Sequence, residues 1–422
     1  MRHKLPIEKL GPTGKGMADA VQACVHCGFC LPTCPTYGPL GQEMDSPRGR
    51  IALMKECLEE SLPLDQALPH LDSCLGCLAC ETSCPSGVSY RELVGPFREK
   101  AEGLRSRSWF NRSRRKLFLR ILTRPSLFSL VVKASRLVHP FAKWLPKRMR
   151  VMLELLPQRL GSQTSLPERV TPKEKTRARV ALVAGCAQQV LEPTIGSATI
   201  SILVRHGVEV VIPREQICCG ALHWHAGEGP TARELAKKNI EVFPADCDAV
   251  ISNAAGCGSC LQEYPLLLKG DSLEAKACVF SSRVLDLSVF LDELGFIPPP
   301  PVSGSLRVAY QDACHLLHGQ GVSGAPRRIL KAIKGIELVS LADPEICCGS
   351  AGIYNVENPD MGNELGINKA IRVKEAGPDI VVSANVGCIS QLRRHLAQES
   401  QNSKVMHLAE FIERAYNGSL AR

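Results

Sequence analysis

The chain has no run of about eighteen apolar residues, which excludes a helix built to span the hydrocarbon of a bilayer. Residues 1–20 lack the apolar core of a signal peptide, so no export is expected. There is no flavin fingerprint, and no nucleic-acid-binding fold signature accompanies the basic residues. What is present is a 422-residue chain, 45% hydrophobic and 22% charged, with a mean hydropathy of −0.02. Such a chain is expected to be soluble and globular, with about two to three domains. It carries 20 cysteines. A cytoplasmic location is expected, where disulfides are disfavoured and cysteine does metal or redox work.

Eight of the cysteines form two copies of one pattern. The first is Cys24-Val-His-Cys27-Gly-Phe-Cys30-Leu-Pro-Thr-Cys34-Pro35; the second is Cys74-Leu-Gly-Cys77-Leu-Ala-Cys80-Glu-Thr-Ser-Cys84-Pro85. Both read C-x₂-C-x₂-C-x₃-C-P, the run that holds [4Fe–4S] clusters in bacterial ferredoxins. Three thiolates at x₂ intervals reach three corners of a cube, and the fourth points away to serve the other cluster. The crossed assignment places Cys24, Cys27, Cys30 and Cys84 on cluster one, and Cys74, Cys77, Cys80 and Cys34 on cluster two. A zinc site needs neither the third Cys nor the trailing Pro.

Between the motifs, Ser46-Pro47 suits a helix cap and first turn, and Ile51, Met54 and Leu58 follow at helical spacing. A second short helix is expected to end near Leu71. Arg48 and Arg50 could sit beside a cluster or lie on a solvated helix start. Cys57 is outside any ligand spacing and reads as a small apolar residue. His26, inside a cluster loop, is expected to be exposed.

The net charge of +9 is unevenly spread. Residues 98–150 hold sixteen Lys and Arg against Glu99 and Glu102, so this segment alone is +14 and the remainder −5. Pro125, Pro140 and Pro146 divide the segment into short helices, and Phe118, Ile121, Leu122, Leu127, Leu130 and Val131 could line an apolar face. A basic amphipathic stretch suits a membrane surface or an acidic partner, and equally a helical linker packed on its own protein.

The remaining chain is an internal repeat. Cys314 follows Cys186 by 128 residues, Cys348 follows Cys219 by 129, and Cys388 follows Cys257 by 131. Each copy contains Cys-Cys-Gly, at 218–220 and 347–349. Apolar β-type runs at 179–186, 249–257, 306–314 and 379–388 alternate with helical stretches such as 194–205 and 232–243, which predicts parallel α/β units. The cysteines follow the strands, at the carboxyl edge where such sheets bind ligands. A stiff run, Pro298 to Pro301, joins the copies. The fold class expected is α+β multidomain: a helical two-cluster ferredoxin-like domain (1–96), a basic helical linker (97–178), and two parallel-sheet repeats (179–296 and 306–416). Gly319-Gln-Gly321-Val-Ser-Gly324 has dinucleotide-turn spacing with Asp343 beyond it, but residues 314–318 separate it from the strand, so it reads as a turn before a helix at Pro326.

The signatures around these cysteines carry a resemblance. Residues 218–227 read Cys-Cys-Gly-Ala-Leu-His-Trp-His-Ala-Gly, residues 253–258 Asn-Ala-Ala-Gly-Cys-Gly, and residues 312–318 Asp-Ala-Cys-His-Leu-Leu-His. Residues 347–352 (Cys-Cys-Gly-Ser-Ala-Gly) and 385–388 (Asn-Val-Gly-Cys) complete the set. The repeats look like those of heterodisulfide reductase-type subunits. Joined to the ferredoxin-like front, they resemble the iron–sulfur subunits of glycolate oxidase (glycolate dehydrogenase) over nearly the whole chain. Similar subunits occur in lactate-utilisation and anaerobic glycerol-3-phosphate dehydrogenase complexes.

The resemblance implies a subunit not active on substrate alone. FAD would reside on a partner subunit that oxidises glycolate to glyoxylate. Electrons would pass through this chain to a quinone or another acceptor, with the protein peripheral on the cytoplasmic face of a membrane. The alternatives are the iron–sulfur subunit of a lactate or anaerobic glycerol-3-phosphate dehydrogenase and a heterodisulfide reductase-like catalytic subunit, and no catalytic residue is assigned. The repeats would offer a further cluster site among Cys186, Cys218, Cys219, Cys257, Cys260, Cys314, Cys347, Cys348 and Cys388. Relatives end each repeat in C-x₂-C; here repeat two has Gln391 in place of the last Cys. His223, His225, His315 and His318 flank these thiols as hydrogen-bonding neighbours rather than ligands.

Overall fold

The structure is a computed structural model that describes residues 5–157, 165–399 and 403–420. Its N-terminal unit is helical. Gly14–Ala23, Pro47–Leu58, Leu64–Asp72 and Tyr90–Leu104 surround a core of Met17, Val21, Ile51, Met54, Leu93 and Phe97. Ser46 caps Pro47–Leu58 by accepting from the Gly49 N–H at 2.9 Å, while Pro47 occupies the first turn, where its missing donor costs nothing. Tyr90–Leu104 runs through the expected boundary at 96, although Pro96 lies inside it. The buried Tyr90, Leu93, Val94, Phe97 and Ala101 hold it against the core and offset the lost hydrogen bond.

Four short helical segments follow: Trp109–Leu122, Pro125–Val138, His139–Trp144 and Lys147–Glu154. Phe118, Ile121 and Leu122 face inward as expected. Leu127, Leu130 and Val131 do not; Phe128 and Val132, at i and i+4, make the buried stripe instead, against Val190. The expected linker range also contains a strand, β1 (Arg169–Val170). Residues 158–164 of that range lie outside the described residues.

Two parallel sheets form the repeats. The first contains β2 (Ala178–Leu182), β3 (Val208–Val211), β4 (Ala249–Ser252) and β5 (Val284–Asp286), in the order β1-β3-β2-β4-β5 with only β1 antiparallel. The second contains β6 (Leu306–Gln311), β7 (Ile336–Val339), β8 (Ile380–Ser383) and β9 (Lys404–His407), in the order β7-β6-β8-β9. The expected helix at 194–205 is present as Thr194–Arg205, and that at 232–243 as Gly229–Val242. The expected β-runs are shorter. β4 ends at Ser252, and Cys257 and Cys260 sit on the helix Ala255–Gln262; β8 ends at Ser383, and Cys388 opens the helix Val386–Gln398. Apolar residues continue past each strand because the following helical turn is buried too, so hydrophobicity alone did not mark the change of period.

The repeats share one core. Thr194–Arg205 packs on Leu408–Tyr416, and Leu287–Leu294 packs on Gly324–Ala332, sealing Ile195, Ile202, Leu291, Ile329, Phe411 and Ile412. Each such side chain contributes roughly 1.5–3 kcal/mol on full burial. The carboxyl edges of the sheets meet directly: the Ala255 N–H donates to the Ala384 carbonyl at 3.1 Å, and His407 bonds the Asn253 carbonyl at 2.7 Å.

The N-terminal unit docks on repeat one at Gly95, where an added Cβ would lie 2.5 Å from the Trp224 ring. Gly95→Ala should therefore cost about 1–3 kcal/mol through overpacking and shift the Trp224 fluorescence. A denaturation midpoint and emission spectrum identical to wild type would count against this docking.

Candidate metal centres

The two ferredoxin-like loops share a backbone device. In each, the residues on both sides of the second Cys are left-handed: His26 (φ 55°) and Gly28 (φ 88°) around Cys27, Gly76 (φ 68°) and Leu78 (φ 63°) around Cys77. Left-handed residues in such loops turn successive amides into a concavity that suits an anion, including Fe–S sites. For His26 and Leu78 this conformation is strained by roughly 1–2 kcal/mol. His26 is only half-buried rather than open, because its carbonyl accepts from the Arg48 Nη1–H at 2.7 Å.

Each loop helps to wall a cavity. One, of about 400 Å³ empty volume, is lined by Cys24, Cys27, Cys30 and Cys84, with Cys80 at its border. The other, of about 320 Å³, is lined by Cys34, Cys74, Cys77 and Cys80. Each cavity contains one of the two sets expected from crossed pairing, and Cys80 lines both. The sulfurs stand around a space, not a point: among the described residues no three His, Cys, Asp or Glu side chains converge closely enough for a single metal ion. The thiol walls and the left-handed loop residues fit a cuboidal cluster in each.

Burial pushes the Cys77 and Cys80 thiols well above their ordinary range. At Cys74 burial is outweighed by the Arg50 and Arg98 guanidiniums, which hold it below that range. Arg50 is 1% exposed. It donates to Cys34 Sγ at 3.6 Å, Thr36 Oγ1 at 3.0 Å, Ser73 Oγ at 2.6 Å and the His70 carbonyl at 2.8 Å. Arg48 lines the first cavity. The structure therefore places both arginines at thiol cavities rather than on a solvated helix start.

Sequence reading missed Tyr90, whose hydroxyl is 3.7 Å from Cys74 Sγ, and Arg98, which donates to the Cys74 carbonyl at 2.5 Å. Arg91 was missed as well. It bonds Glu81 at 2.8 Å and the Gly319 and His318 carbonyls at 3.0 and 3.2 Å, joining the N-terminal unit to repeat two. The available signal was the seven-residue spacing of Arg91 and Arg98, which puts them on one helix face just after the second motif.

In repeat one, Cys186 and Cys218 have sulfurs 3.4 Å apart, and Cys219 lies within side-chain reach of Cys218, Cys257 and Cys260. All five thiols come together. Gly220 (φ 91°) makes the turn and donates its N–H to Cys218 Sγ at 3.4 Å. Tyr264 Oη donates to the Cys219 carbonyl at 2.9 Å and so braces the turn. In repeat two, Cys314 and Cys347 are 3.8 Å apart, and Cys348 reaches Cys347 and Cys388. Gln391, in the place of a fifth thiol, is fully buried, and its amide is committed elsewhere: it donates to the Gly362 carbonyl at 2.7 Å and accepts from Asn355 at 3.3 Å.

The histidines are neighbours of these sets. His315 Nδ1 is 3.7 Å from Cys314 Sγ, and its ring lies 5.0 Å from that of His225 across the junction of the repeats. His318 bonds Thr82 Oγ1 at 2.7 Å, reaching the turn between Cys80 and Cys84. His223 is buried beside repeat one. Cys77 also packs with Cys314, Cys347 and Tyr354 in one cluster, so the second thiol cavity abuts repeat two. Cys57, Cys247 and Cys278 stay outside both arrangements, and burial raises Cys57 to about 11. Gly321 is left-handed (φ 70°), and the helix begins at Gly324, two residues before the expected start at Pro326.

Comparison with known proteins follows this division. Residues 20–88 match the 4Fe-4S dicluster domain, and residues 180–262 and 308–393 match the Cysteine-rich domain family. The chain is 38% identical over 417 residues to the probable glycolate oxidase iron-sulfur subunit of Bacillus subtilis, covering 92% of each. It is 35% identical over 404 residues to the glycolate oxidase iron-sulfur subunit of Escherichia coli, covering 94% of this chain and 95% of that one. Lactate utilization protein A of Oceanobacillus iheyensis is 29% identical over 244 residues, 58% of this chain and all of that protein. With iron–sulfur clusters as its cofactors and near-full-length relatives of one kind, the chain belongs to the family of glycolate oxidase iron–sulfur subunits.

Proposed function

We propose that this chain is the electron-relay subunit of a glycolate dehydrogenase complex, taking electrons from a flavin-bearing partner that oxidises glycolate to glyoxylate and passing them to a quinone. The observation that carries the reading is the contiguity of the thiol sites: two cavities share the Cys80 border, and the second abuts Cys314 and Cys347. A delocalised cluster supplies one-electron chemistry with little change of shape. Cys24, Cys27, Cys30 and Cys84 hold one [4Fe–4S] cluster, and Cys34, Cys74, Cys77 and Cys80 hold the other. The five thiols of repeat one hold a third. The chain alone does not oxidise glycolate.

The helices at 109–154 form the face toward a membrane. Trp109 (81% exposed) and Trp144 (88% exposed) project among exposed Arg112, Lys116, Arg120, Lys133, Arg136 and Lys143. Interfacial aromatics among basic side chains complement an anionic lipid surface.

Anaerobically purified protein should contain about twelve irons, falling by about four in Cys30→Ala and by about four in Cys218→Ser. About eight in the wild type, unchanged by Cys218→Ser, would remove the third cluster. Arg50→Gln takes a buried cation from Cys34 and should make the potential of the second cluster more negative. The shift is about 60 mV if Arg50 favours the reduced form by about 1.4 kcal/mol; EPR-monitored titration reads it. Co-sedimentation with phosphatidylglycerol vesicles should weaken with salt and drop about tenfold or more in the Trp109→Ser, Trp144→Ser, Lys143→Glu variant. Equal sedimentation of variant and wild type would reject the membrane face.

A further inference from the structure

A large open cavity lies between the basic helices and the thiol sites, with about 2100 Å³ of empty space, part of it open to solvent. Phe97, Phe118, Met149, Met152, Leu222 and Ile353 make its apolar wall. They come from the N-terminal unit, the basic helices and the segments just after both Cys-Cys-Gly turns. Cys74 lines this cavity and the second thiol cavity alike. His225 also lines it, and its buried Nε2 has no hydrogen-bond partner.

The wall chemistry selects a ligand class. Six arginines border the space: Arg105 is paired with Asp72, Arg107 with Glu102 and Arg115 with Glu357, Arg148 donates to the Glu357 carbonyl, and Arg114 is exposed. Arg98 is committed to the Cys74 and His225 carbonyls. An anionic ligand would have to break these bonds. A neutral ligand with an apolar body and one or two polar atoms would not, and such a ligand suits a mixed wall whose aromatic, thioether and aliphatic patch lies beside charged side chains largely paired with one another.

Position narrows the class further. The cavity shares Cys74 with a redox site, so its occupant can exchange electrons. Its outer wall is built by Trp109–Leu122 and Lys147–Glu154, and the first of these exposes Trp109, Phe110 and Leu117 on its other side. A lipid-dissolved ligand would enter next to the surface that meets the lipid.

We propose that this cavity is the binding site of a lipophilic quinone, held beside Cys74 with one carbonyl oxygen toward His225 Nε2. This rests on the relay reading above. The quinone takes up two electrons, delivered singly from the iron–sulfur clusters that 2-hydroxy-acid oxidation on the partner has reduced. Two protons from water bind its two oxygens, giving the quinol. An azido-substituted short-chain quinone, photolysed with the purified holoprotein, should label peptides within residues 97–118, 148–154, 222–226 or 351–358. Met152→Trp narrows the cavity at its apolar wall and should lower labelling about tenfold at wild-type iron content, equivalent to about 1.4 kcal/mol of affinity. It should also slow oxidation of the reduced protein by decylubiquinone about tenfold. Ile353→Trp, on a different wall, makes the same test should the first variant lose iron. Label confined to other peptides, or unchanged in these variants, overturns the site while leaving quinone as acceptor. Failure of decylubiquinone to oxidise the reduced wild type overturns the acceptor reading and the site together.

Discussion

A thiolate is costly to bury unless a cation or a metal shares the space, and this protein buries thiols throughout its centre. Burial suppresses the acidity of Cys77 and Cys80; hydrogen bonds with neighbouring thiols, and then burial, suppress that of Cys218, Cys257, Cys260, Cys347 and Cys388, while the same bonds make Cys219, Cys314 and Cys348 more acidic. Iron removes the conflict, because a coordinated thiol is deprotonated outright and its charge is met within the cluster. Binding free energy of this kind is also folding free energy. The strained left-handed His26 and Leu78 are tolerable on the same account, since they aim amides at a charge that the bound cluster supplies.

The buried Arg50 and the half-buried Arg98 follow from that electrostatic demand. Arg50 reaches Cys34 from within the N-terminal unit, while Arg98 and Arg91 extend from one helix face to the Cys74 loop and to repeat two. Arg98 both offsets the Cys74 thiolate charge and ties the N-terminal unit to repeat one through the His225 carbonyl, whereas Arg50 offsets charge within the N-terminal unit and Arg91 ties that unit to repeat two. Planar five-donor side chains suit this double duty better than lysine would.

Asymmetry between the repeats has a structural basis as well. Cys260 closes a five-thiol set, whereas Gln391 at the related place is held by Gly362 and Asn355 in the core. The two repeats have the same strand-and-helix plan but unequal chemistry: repeat one gathers more thiols, and repeat two stands closer to the ferredoxin-like cavities. The basic helices then cover the side on which the large cavity opens.

The primary sequence determined the local chemistry. Cysteine spacing carries its own geometry, so both motifs, the cap at Ser46 and the duplication at a separation of about 130 residues were legible from it. The α/β character was legible too, because alternation of short apolar runs with helical stretches has few other solutions. Tertiary structure alone decided three matters. Strand ends at Ser252 and Ser383 were invisible, since the buried helices that follow are just as apolar. The inward stripe of Pro125–Val138 is set by what it packs on, not by its own periodicity, so Phe128 and Val132 displaced Leu130 and Val131. The role of Arg91 and the cavity beside Cys74 depend on segments hundreds of residues apart meeting in space, as Arg91 meets Gly319, and Tyr90 and Arg98 meet Cys74 only once their helix packs beside its loop. Spacing along a chain encodes a loop; only packing encodes what the loop faces.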